Sequence, residues 1–592
     1  MRPKALTDDR MTPLGRSLGE NLATARYLLL IAAPMGMLVG VAIAGYDFVV
    51  NELLWKHITQ HSLALQIVSP AIGMFVAGLL LQICRVHSPS MADEVVKAYH
   101  EPDGSMPTDT AAAKLAASVA TMGFGASAGM EGASKWLGAT IGSVLQKLLN
   151  KLGLRQLHWD VRSALLTGGS AGIAAIFRAP LSGAIMGVES PYKQDIAHDA
   201  LLSSLVAAAT SFWSFTRLRP ATPYFPVNFH YTLSSRDLLV AIPLGLTAGA
   251  ASHLFLGVLA RLRRWFNNLD RLPFALRTLL GGVMLVGLAW ASYRIVGSPV
   301  TLQAGLPVAN DLLNGKYLLW MCLAVFGFKL LATAVTFGAG GVGGLFVPTA
   351  TIGAALGACF DAVLAPSHPG VYTLLGIAAF AGASYNSLLF SAVFIAEATG
   401  NVFLVVPALI ASTLAFLVSA GVSNSRSQRT QRAGWDEVLS RIPLSQVMST
   451  RIVTAWPDQT LDEFSRSVLL EHHFKALPVI GAKGFFKGLI SLTHLRSVPM
   501  LEWKSVLVEH VMDTRARTLC PHHSVADAER VLHDGPYDYV PVVDPQAYQL
   551  VGMVSLSDVH RARRETRAPK AAKESEDDVS DDVRAQGVSA AR

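Results

Sequence analysis

The chain has 592 residues, of which 51% are hydrophobic and only 15% are charged, and its mean hydropathy is +0.39. This composition excludes a wholly soluble protein and indicates a polytopic membrane protein with a soluble part attached. We interpret the formal net charge of +7 as a membrane-topology signal and not as evidence for nucleic-acid binding. The cysteines stand singly, without the paired spacing of a zinc site or a disulfide framework, at Cys84, Cys322, Cys359 and Cys520.

The N-terminal residues 1–25 are polar, and we expect them to be cytoplasmic and to contain no cleavable signal peptide. Apolar stretches of the roughly 20 residues needed to span a bilayer begin at 26–50 and 64–85 and recur until about residue 423. The densest basic cluster lies at 261–277, and the positive-inside rule places that loop and both termini in the cytoplasm. The sequence therefore predicts a multi-pass protein of the cytoplasmic (plasma or inner) membrane.

A short polar stretch containing Ser90 follows the second apolar segment. Ser90 precedes Asp93, Glu94 and a short amphipathic run, as the N-cap of a helix would. Two interpretations stay open: a helix cap at the membrane surface, or a hydroxyl that binds a ligand.

The next region is rich in glycine and alanine and contains Glu131, within a stretch that runs from Gly129 to Gly142. A carboxylate between apolar segments is costly in hydrocarbon, so we expect Glu131 to face a protein-lined or watery cavity. The alternative is a carboxylate that bonds to backbone amides for structure alone.

This glycine pattern is repeated later in the chain. Four residues recur 215 positions on, namely Gly129, Gly138, Ala139 and Gly142 as Gly344, Gly353, Ala354 and Gly357. A second pair of segments, 177–189 and 385–397, is offset by 208. Corresponding glycine-interrupted segments in two halves are typical of a transport site built from helix starts, whose amides attract anions. Glu131 would compete with an anion for that site.

These residues resemble the CLC family of chloride channels and proton-coupled chloride transporters over about residues 25–425. The family's Gly-x-Phe-x-Pro motif is intact at 344–348. Its gating motif, Gly-Arg-Glu-Gly-Pro, keeps the glutamate but has Met130 and Ala133 for the arginine and proline, and its serine motif keeps only the serine. The resemblance implies that Glu131 is the gate and that the anion-binding residues are Ser90, Gly344, Leu345, Phe346 and Val347, the last four mainly through backbone amides.

Two departures from the family bear on mechanism. Where the family's transporters usually carry a glutamate that accepts protons from the cytoplasm, this chain has Ser190, which cannot titrate near neutral pH. The tyrosine that closes the inner mouth in much of the family matches Gln428 here, which implies a looser inner gate. Glu189 and its repeat partner Glu397 could either pin helices or touch ions.

The soluble C-terminal part contains another duplication, with an offset of 63–64 residues. Each unit is predicted to have a strand, a helix and two short strands, and the two resemble a pair of CBS domains, which can bind adenine nucleotides. The second unit keeps the nucleotide motif as Ser555, Ser557 and Asp558, whereas the first has His494 in place of the aspartate. At most one nucleotide site is therefore expected to be complete, and a purely structural pair is the alternative.

The predicted fold class is an all-α polytopic membrane domain of two related repeats, expected to be inverted and CLC-like, followed by a soluble α/β CBS-pair domain. The predicted domains are an N-terminal segment (1–25), a membrane domain (26–423, with halves at about 26–235 and 236–423), a linker (424–440), CBS domains at 441–500 and 501–562, and a disordered tail (563–592).

The expected function is a channel for chloride or a similar small anion, gated by Glu131 in a voltage-gated family and modulated by the CBS pair. The alternative is a proton-coupled antiporter that takes protons through Glu189 or water. We expect a homodimer in lipid, no enzyme activity, no nucleic-acid partner, no metal and no required cofactor. A membrane enzyme would bring His, Asp or Cys clusters into the apolar region, and a divalent-cation transporter would bring converging carboxylates. Fluoride stays open, although the family's fluoride branch usually replaces the serine kept here as Ser90.

Overall fold

The structure is a computed structural model that describes residues 25–86, 88–101, 103–153, 160–220, 222–227, 229–364, 366–419, 421–430, 439–440, 442–466, 476–535 and 537–565. The chain divides into two compact units, residues 1–432 and 433–592. The first unit is helical throughout its described elements, and the second mixes short helices with two-stranded sheets.

The first half of the helical unit begins with a long apolar helix that contains two π-helical stretches. Its elements in chain order are α1 (Ala25–Thr59), α2 (Leu63–Ile83), α3 (Ala92–His100), α4 (Ala111–Gly123), α5 (Glu131–Lys151), α6 (Val161–Phe177), α7 (Pro180–Glu189) and α8 (Leu201–Leu218).

The second half repeats this succession of long and short helices. Its elements are α9 (Ser235–Asn267), α10 (Phe274–Val296), α11 (Leu306–Leu313), α12 (Leu319–Gly338), α13 (Phe346–Leu364), α14 (Val371–Tyr385), α15 (Leu388–Thr399) and α16 (Val405–Ser419). Within the described residues, each of the eight helices thus has a counterpart in the other half.

The helical unit has the properties of a membrane domain. Seven helices of the described residues are long and apolar enough to cross a bilayer, and three more are apolar but shorter. Large apolar side chains such as Leu239, Val283 and Trp290 are more than half exposed on the outer helices α9 and α10. In water such surfaces would be unfavourable, whereas a hydrocarbon environment accommodates them.

Glycines allow the central helices of each half to pack backbone against backbone. A Cβ added at Gly138 of α5 would overlap the carbonyl oxygen of Gly168 in α6. In the second half, a Cβ at Gly353 of α13 would overlap the carbonyl oxygen of Gly376 in α14. This close approach of helices through small residues is common in membrane bundles. The first residues of α5 and α13 are buried within the unit.

The second unit contains two antiparallel pairs of strands. The strands β1 (Ala476–Ile480) and β2 (Phe486–Ser491) form one sheet, and β3 (Tyr539–Val543) and β4 (Leu550–Ser555) form the other. The accompanying helices are α17 (Leu461–Phe464), α18 (Leu492–Arg496), α19 (Val508–Val511), α20 (Val525–Asp534) and α21 (Leu556–Glu565), with 3-10 turns at Leu444–Gln446, Ala482–Gly484 and Met500–Glu502.

Three local predictions need correction. In each CBS repeat, the segment predicted to be the first strand forms only an isolated β-bridge, at Ala455 in the first repeat and at Leu519 in the second. The predicted tail begins inside α21, which continues to Glu565, and residues 566–592 lie outside the described residues. The first part of the predicted linker, residues 424–430, belongs to the helical unit, because it is hydrogen-bonded to that unit.

Candidate functional site

The two halves meet at the duplicated glycines. The amide of Gly129 donates to the carbonyl of Gly344 (2.8 Å), and the amide of Gly344 donates back to the carbonyl of Gly129 (2.6 Å). This antiparallel bridge immediately precedes α5 and α13. The starts of the two helices are therefore held side by side, as the repeat predicted.

Glu131, the first residue of α5, reaches across to the start of α13. Its Oε1 accepts hydrogen bonds from the amides of Phe346 (2.5 Å) and Val347 (3.3 Å). The side chain is only 2% exposed, and Oε2 is buried without a hydrogen-bond partner. Free amides and the dipole of a helix N-terminus favour negative charge, so the carboxylate occupies a place that suits an anion.

The four amides predicted to bind the anion do not act together. Those of Phe346 and Val347 contact Glu131, but the amide of Gly344 is already bonded to Gly129. The amide of Leu345 donates to the hydroxyl of Tyr385 (3.1 Å). Gly344 is thus a bridge between the repeats in this conformation, and its amide is not available to an anion.

A cavity of about 570 Å³, called the basic cavity here, approaches this site at Gly344 and Leu345. Four basic side chains line it, those of Lys135, Arg263, Arg277 and Arg426. Among the described residues that line it, the acidic side chain is Asp93, which accepts hydrogen bonds from the hydroxyls and an amide of Ser425 and Ser427. The walls of this cavity therefore favour anions over cations.

A smaller cavity of about 120 Å³, called the Glu131 cavity here, shares no lining residue with the basic cavity. Glu131 and Val347 line it, together with Asp47, Arg178 and Gln303. Because Leu345 faces one cavity and Val347 the other, Glu131 and the start of α13 stand between the two cavities.

Arg178 is a residue whose place the sequence did not reveal. The family's gating motif carries an arginine before the glutamate, but this chain has Met130 there. Arg178 adopts a left-handed backbone conformation at the end of α6, with φ at 55°, and it donates to Thr222 (2.7 Å) at the Glu131 cavity. Arg178 thus places a basic side chain on the wall of the Glu131 cavity from the end of a different helix.

The three other predicted pathway residues, Ser90, Ser190 and Gln428, all line the basic cavity. Ser90 is not a helix cap: α3 begins at Ala92, its N-cap is Met91, and the structure gives no side-chain cap bond. The amide of Ser90 is instead bonded to the hydroxyl of Ser88 (3.3 Å), which leaves the Ser90 side chain exposed to the cavity.

Ser190 and Gln428 are hydrogen-bonded to each other on the wall of this cavity. The Gln428 side-chain amide donates to the carbonyls of Ser190 (3.0 Å) and Tyr385 (3.2 Å). The hydroxyl of Ser190 accepts a hydrogen bond from the ammonium of Lys135 (2.7 Å). Where the resemblance expects an acidic proton acceptor, the wall therefore carries a serine bonded to a cation.

Two lining residues, Lys135 and Tyr385, were missed as functional candidates. Both stand inside the duplicated motifs, Lys135 four residues after Glu131 and Tyr385 at the position matching Phe177. Tyr385 therefore brings to the basic cavity, from α14, an aromatic ring and a phenol hydroxyl that Gln428 lacks.

Glu189 and Glu397 join the two halves away from the cavities. The carboxylate of Glu189 accepts from the amides of Leu389 and Phe390 at the start of α15 (both 3.0 Å). Glu397 accepts from the amides of Leu181 (2.9 Å) and Ser182 (2.7 Å) at the start of α7. Of the two interpretations left open, the structure supports pinning of helices for both residues.

In the second CBS repeat, the carboxylate of Asp558 is already hydrogen-bonded to neighbouring residues of the same repeat. It accepts from the amide and hydroxyl of Ser555 (2.9 and 2.7 Å) and pairs with Arg561 (2.6 Å). Ser555 is also bonded to Ser557 (2.7 Å). These side chains hold one another and do not present a free carboxylate to a ribose, so they fit a nucleotide poorly in this conformation.

The corresponding position in the first CBS repeat, His494, contacts Tyr537 of the second CBS repeat. The Nε2 atom of His494 lies 3.4 Å from the hydroxyl of Tyr537, which donates to Asp513 (2.9 Å). Burial, together with the Asp513 carboxylate, raises the pKa of Tyr537 to about 12, so this phenol keeps its proton. Within the part of the chain that the structure describes, no cluster of three or more His, Cys, Asp or Glu side chains could hold a metal.

A helical membrane domain whose two repeats meet at a carboxylate on a helix N-terminus, between two cavities, belongs to the class of proteins built around an anion pathway. A family model described as "voltage gated chloride channel" matches residues 72–420, and the CBS domain model matches residues 444–500 and 508–565. The chain belongs to this CLC family and carries a pair of CBS domains.

A relative and two solved structures illustrate the similarity. The chain is 31% identical over 365 residues to a putative chloride channel protein ClcB-like of Ralstonia nicotianae, covering 59% of this chain and 81% of the relative. A CLC-type fluoride/proton antiporter superposes with a TM-score of 0.59 and 22% identity, covering 72% of this chain and all of the other. A slow cyanobacterial Cl⁻/H⁺ antiporter gives 0.57 and 21%, covering 68% and 95%. The two structures share the fold.

Proposed function

We propose that this CLC-family protein conducts chloride, or a similar small anion, passively through a pathway that Glu131 closes. The observation that carries the proposal is the Glu131 carboxylate on the amides of Phe346 and Val347, between the two cavities. A chloride ion and this carboxylate compete for the same two donors. Removal or displacement of the carboxylate frees the donors for the permeating anion.

Passive conduction is favoured over proton-coupled exchange by the wall at Ser190. The ammonium of Lys135 occupies the neighbourhood where a proton-accepting carboxylate would be needed. Glu189, the acceptor in the rival mechanism, is bonded through both carboxylate oxygens to the start of α15 and does not line either cavity. Among the described residues that line the basic cavity, the acidic side chain is Asp93, which is hydrogen-bonded to Ser425 and Ser427, so the cavity wall does not offer the rival its acceptor Glu189.

We also propose an orientation in the membrane and a homodimeric assembly. The positive-inside rule places the basic segment containing Arg263 and Arg277 in the cytoplasm, so the basic cavity opens there and the Glu131 cavity opens outside. The chain forms a homodimer in the cytoplasmic membrane, and each subunit has its own pathway because Glu131 and its donors come from one chain. An adenine nucleotide at the CBS pair stays a prediction and requires Asp558 to be released from Arg561.

The test is chloride efflux from liposomes that contain the purified protein, recorded together with external pH. We expect wild-type protein to release chloride without opposing proton movement. Glu131→Ala leaves the amides of Phe346 and Val347 permanently free, so its efflux is faster and no longer depends on pH. Glu101→Ala is the matched control, because this carboxylate at the end of α3 lines neither cavity, and it leaves efflux unchanged.

Uphill proton movement driven by a chloride gradient would show that the protein is an exchanger. In that case Glu189→Gln distinguishes the proposed rival route, because loss of coupling in this variant identifies Glu189 as the proton acceptor. Chloride efflux that is equal in wild type and Glu131→Ala contradicts the assignment of Glu131 as the gate.

A further inference from the structure

Arg178 is a basic residue that the gating mechanism does not use. It directly follows α6, and among the described residues that line the Glu131 cavity it is the basic one. Its Nη1 atom donates to the carbonyl (3.0 Å) and the hydroxyl (2.7 Å) of Thr222. Its Nε atom is buried and has no hydrogen-bond partner in the described part of the chain. A buried donor without an acceptor is unfavourable, so we expect an acceptor to reach Nε in another state of the protein.

The repeat shows that the end of α6 does not require an arginine. The counterpart of Arg178 in the second half, 208 positions on, is Asn386 at the end of α14. Asn386 has the same left-handed conformation, with φ at 51° against 55° for Arg178. Asparagine is among the few residues other than glycine that adopt this conformation readily. Asparagine would therefore serve the backbone at residue 178, and the guanidinium needs a different explanation.

Glu131 has a carboxylate oxygen without a partner in the same cavity. Its Oε2 is buried and, among the described residues, has no hydrogen-bond partner, whereas Oε1 accepts from two amides at the start of α13. The other carboxylate that lines the cavity, Asp47, is bonded through one oxygen to Arg219 and through the other to Asn51. Of the two carboxylates, Glu131 is therefore the one with an oxygen left for Arg178.

An anion and the Glu131 carboxylate cannot share the start of α13. A Cβ added at Gly129 would overlap Oε2, and one at Gly344 would overlap Oε1, so the carboxylate fills the space between the two glycines. An anion bound there must displace it. The adjoining Glu131 cavity, of about 120 Å³, has room for the displaced group, since a water molecule takes up roughly 30 Å³. Glu131 lines this cavity and not the basic cavity, so the carboxylate has space on the side of Arg178.

The other groups around Glu131 do not offer a comparable partner. Three phenols lie within electrostatic range of the carboxylate, those of Tyr46, Tyr224 and Tyr385. Phenols are uncharged near neutral pH. Arg219 is paired with Asp47 (2.5 Å) and does not line the cavity. Arg178 is thus the cation placed to compensate the charge of a displaced Glu131.

We propose that Arg178 receives the Glu131 carboxylate when an anion displaces it from the start of α13, and so stabilises the open gate. This inference rests on the proposed anion conduction and adds to it a positioning residue that acts through Glu131. In the closed state two backbone amides hold the carboxylate. In the open state a charge-assisted hydrogen bond from Nε of Arg178 replaces them. The gate then opens while Glu131 is ionised, without first taking up a proton.

The test compares chloride efflux by wild type and Arg178→Asn in liposomes over a range of pH. Asparagine suits the left-handed backbone, so this variant loses the guanidinium and keeps the helix end. At alkaline pH we expect efflux to fall about tenfold, the size of one charge-assisted hydrogen bond lost from the open state. At acidic pH efflux should equal that of wild type, because a protonated carboxyl is held more weakly by the amides and leaves without a cation.

Two further variants control this comparison. Arg178→Lys keeps the charge and should restore most of the efflux at alkaline pH. Arg217→Gln is the matched control, because Arg217 is an exposed arginine on α8 that lines neither cavity, and it should behave as wild type. An Arg178→Asn protein whose efflux changes by the same factor at every pH would show that the arginine only supports the structure.

The Glu131→Ala background separates a positioning role from direct binding of the anion. Because Arg178 acts through the carboxylate, Arg178→Asn should leave the efflux of Glu131→Ala unchanged. A double variant that conducts more slowly than Glu131→Ala would mean that Arg178 binds the permeating anion itself, and would overturn the proposal.

Crystals of the wild-type chain in concentrated bromide, located by its anomalous scattering, decide the question even if Arg178→Asn fails to fold. We expect bromide at the amides of Phe346 and Val347 and the Glu131 carboxylate within hydrogen-bonding reach of Nε of Arg178. Bromide at the amides with the carboxylate elsewhere overturns the role of Arg178 and leaves the proposed function standing. Amides without bromide, together with equal efflux by wild type and Glu131→Ala, overturn both proposals.

Discussion

At the scale of single residues, the anion site depends on the hydrogen-bond partner of each backbone amide at the start of α13. Four consecutive amides start α13, yet they serve three different partners: Gly129, Tyr385 and Glu131. Only the pair on Glu131 is available to an anion once the carboxylate leaves. The Tyr385 hydroxyl, which holds the amide of Leu345, therefore controls whether a third donor faces the basic cavity.

The role of Tyr385 is tested by Tyr385→Phe. Loss of the hydroxyl leaves the amide of Leu345 without its partner and widens the passage beside it. We expect faster maximal efflux and a half-saturating chloride concentration lowered about two- to tenfold, because the freed amide of Leu345 adds one neutral hydrogen bond to the anion. The measurement is chloride efflux from liposomes as a function of chloride concentration.

Tyr372→Phe provides the matched control for this change. Tyr372 is buried on the same helix, α14, but at the opposite end, and it lines neither cavity. Its substitution should leave efflux unaltered. If the two variants behave alike, Tyr385 only packs and has no part in the anion pathway.

At the scale of elements, the site is positioned by helices that touch through glycine. The contact between Gly138 and Gly168 in the first half corresponds to that between Gly353 and Gly376 in the second. Both bring the helix that follows the bridge, α5 or α13, against the next helix in the chain. The geometry at Glu131 therefore depends on backbone contacts that leave no room for a methyl group.

Gly138→Ala and Gly353→Ala test this packing. The new Cβ would overlap a backbone carbonyl that cannot rotate away, so each variant should lose about 1–3 kcal/mol of stability, the usual effect of overpacking. Gly287→Ala on α10 is the control, because open space surrounds that position and alanine is the better helix former. The thermal unfolding midpoint in detergent measures all three. A Gly353→Ala protein as stable as Gly287→Ala would contradict the equivalence of the two halves.

The repeat explains how much of these elements the sequence could predict. The glycines at 129, 138, 344 and 353 are local features with a fixed spacing, and they located the central bridge and both helix starts. Of the two interpretations of Ser90, a helix cap or a ligand-binding hydroxyl, the cap is wrong, because the N-cap of α3 is Met91 and the amide of Ser90 is bonded to the hydroxyl of Ser88. A hydrogen bond between a side chain and a nearby backbone amide, such as the one from Ser90 to Ser88, has no sequence periodicity, so the first residue of a helix is hard to predict.

Lys135 and Tyr385 could not be recognised in the same way. A lysine four residues after a glutamate usually indicates a solvated helix face. It is buried against Ser190, a residue 55 positions away that directly follows α7. The phenol of Tyr385 likewise meets an amide 40 positions away. Contacts of this kind require the packed helices and are invisible to a local pattern.

At the scale of the whole molecule, the duplicated halves share a scaffold but differ in chemistry. Lys114 and Lys329 stand 215 residues apart, at matching positions of α4 and α12, and both are fully buried. Lys114 forms an ion pair with Glu94 (2.6 Å), whereas Lys329 donates to the carbonyl of Gln303 (2.5 Å) in the loop that lines the Glu131 cavity. The duplication kept each cation and changed its partner.

The contact that Glu189 and Glu397 form between the two halves is symmetric. Each stands in the last turn of a short helix, α7 or α15, and accepts amides from the first turn of the other. This reciprocal arrangement satisfies helix-start amides that would otherwise be unpaired and places negative charge at the favourable end of each dipole.

We expect Glu189→Gln and Glu397→Gln each to lower stability by about 2–3 kcal/mol, because hydrogen bonds to a charged acceptor are replaced by neutral ones and one amide faces an NH₂ group. The double variant should lose less than the sum, since either substitution alone loosens the contact between α7 and α15 on which both depend. Thermal unfolding of the wild type, the two single variants and the double variant measures the coupling, with Glu101→Gln as the exposed control. Strictly additive losses would mean that the two carboxylates act as separate helix caps and do not form one connection between the halves.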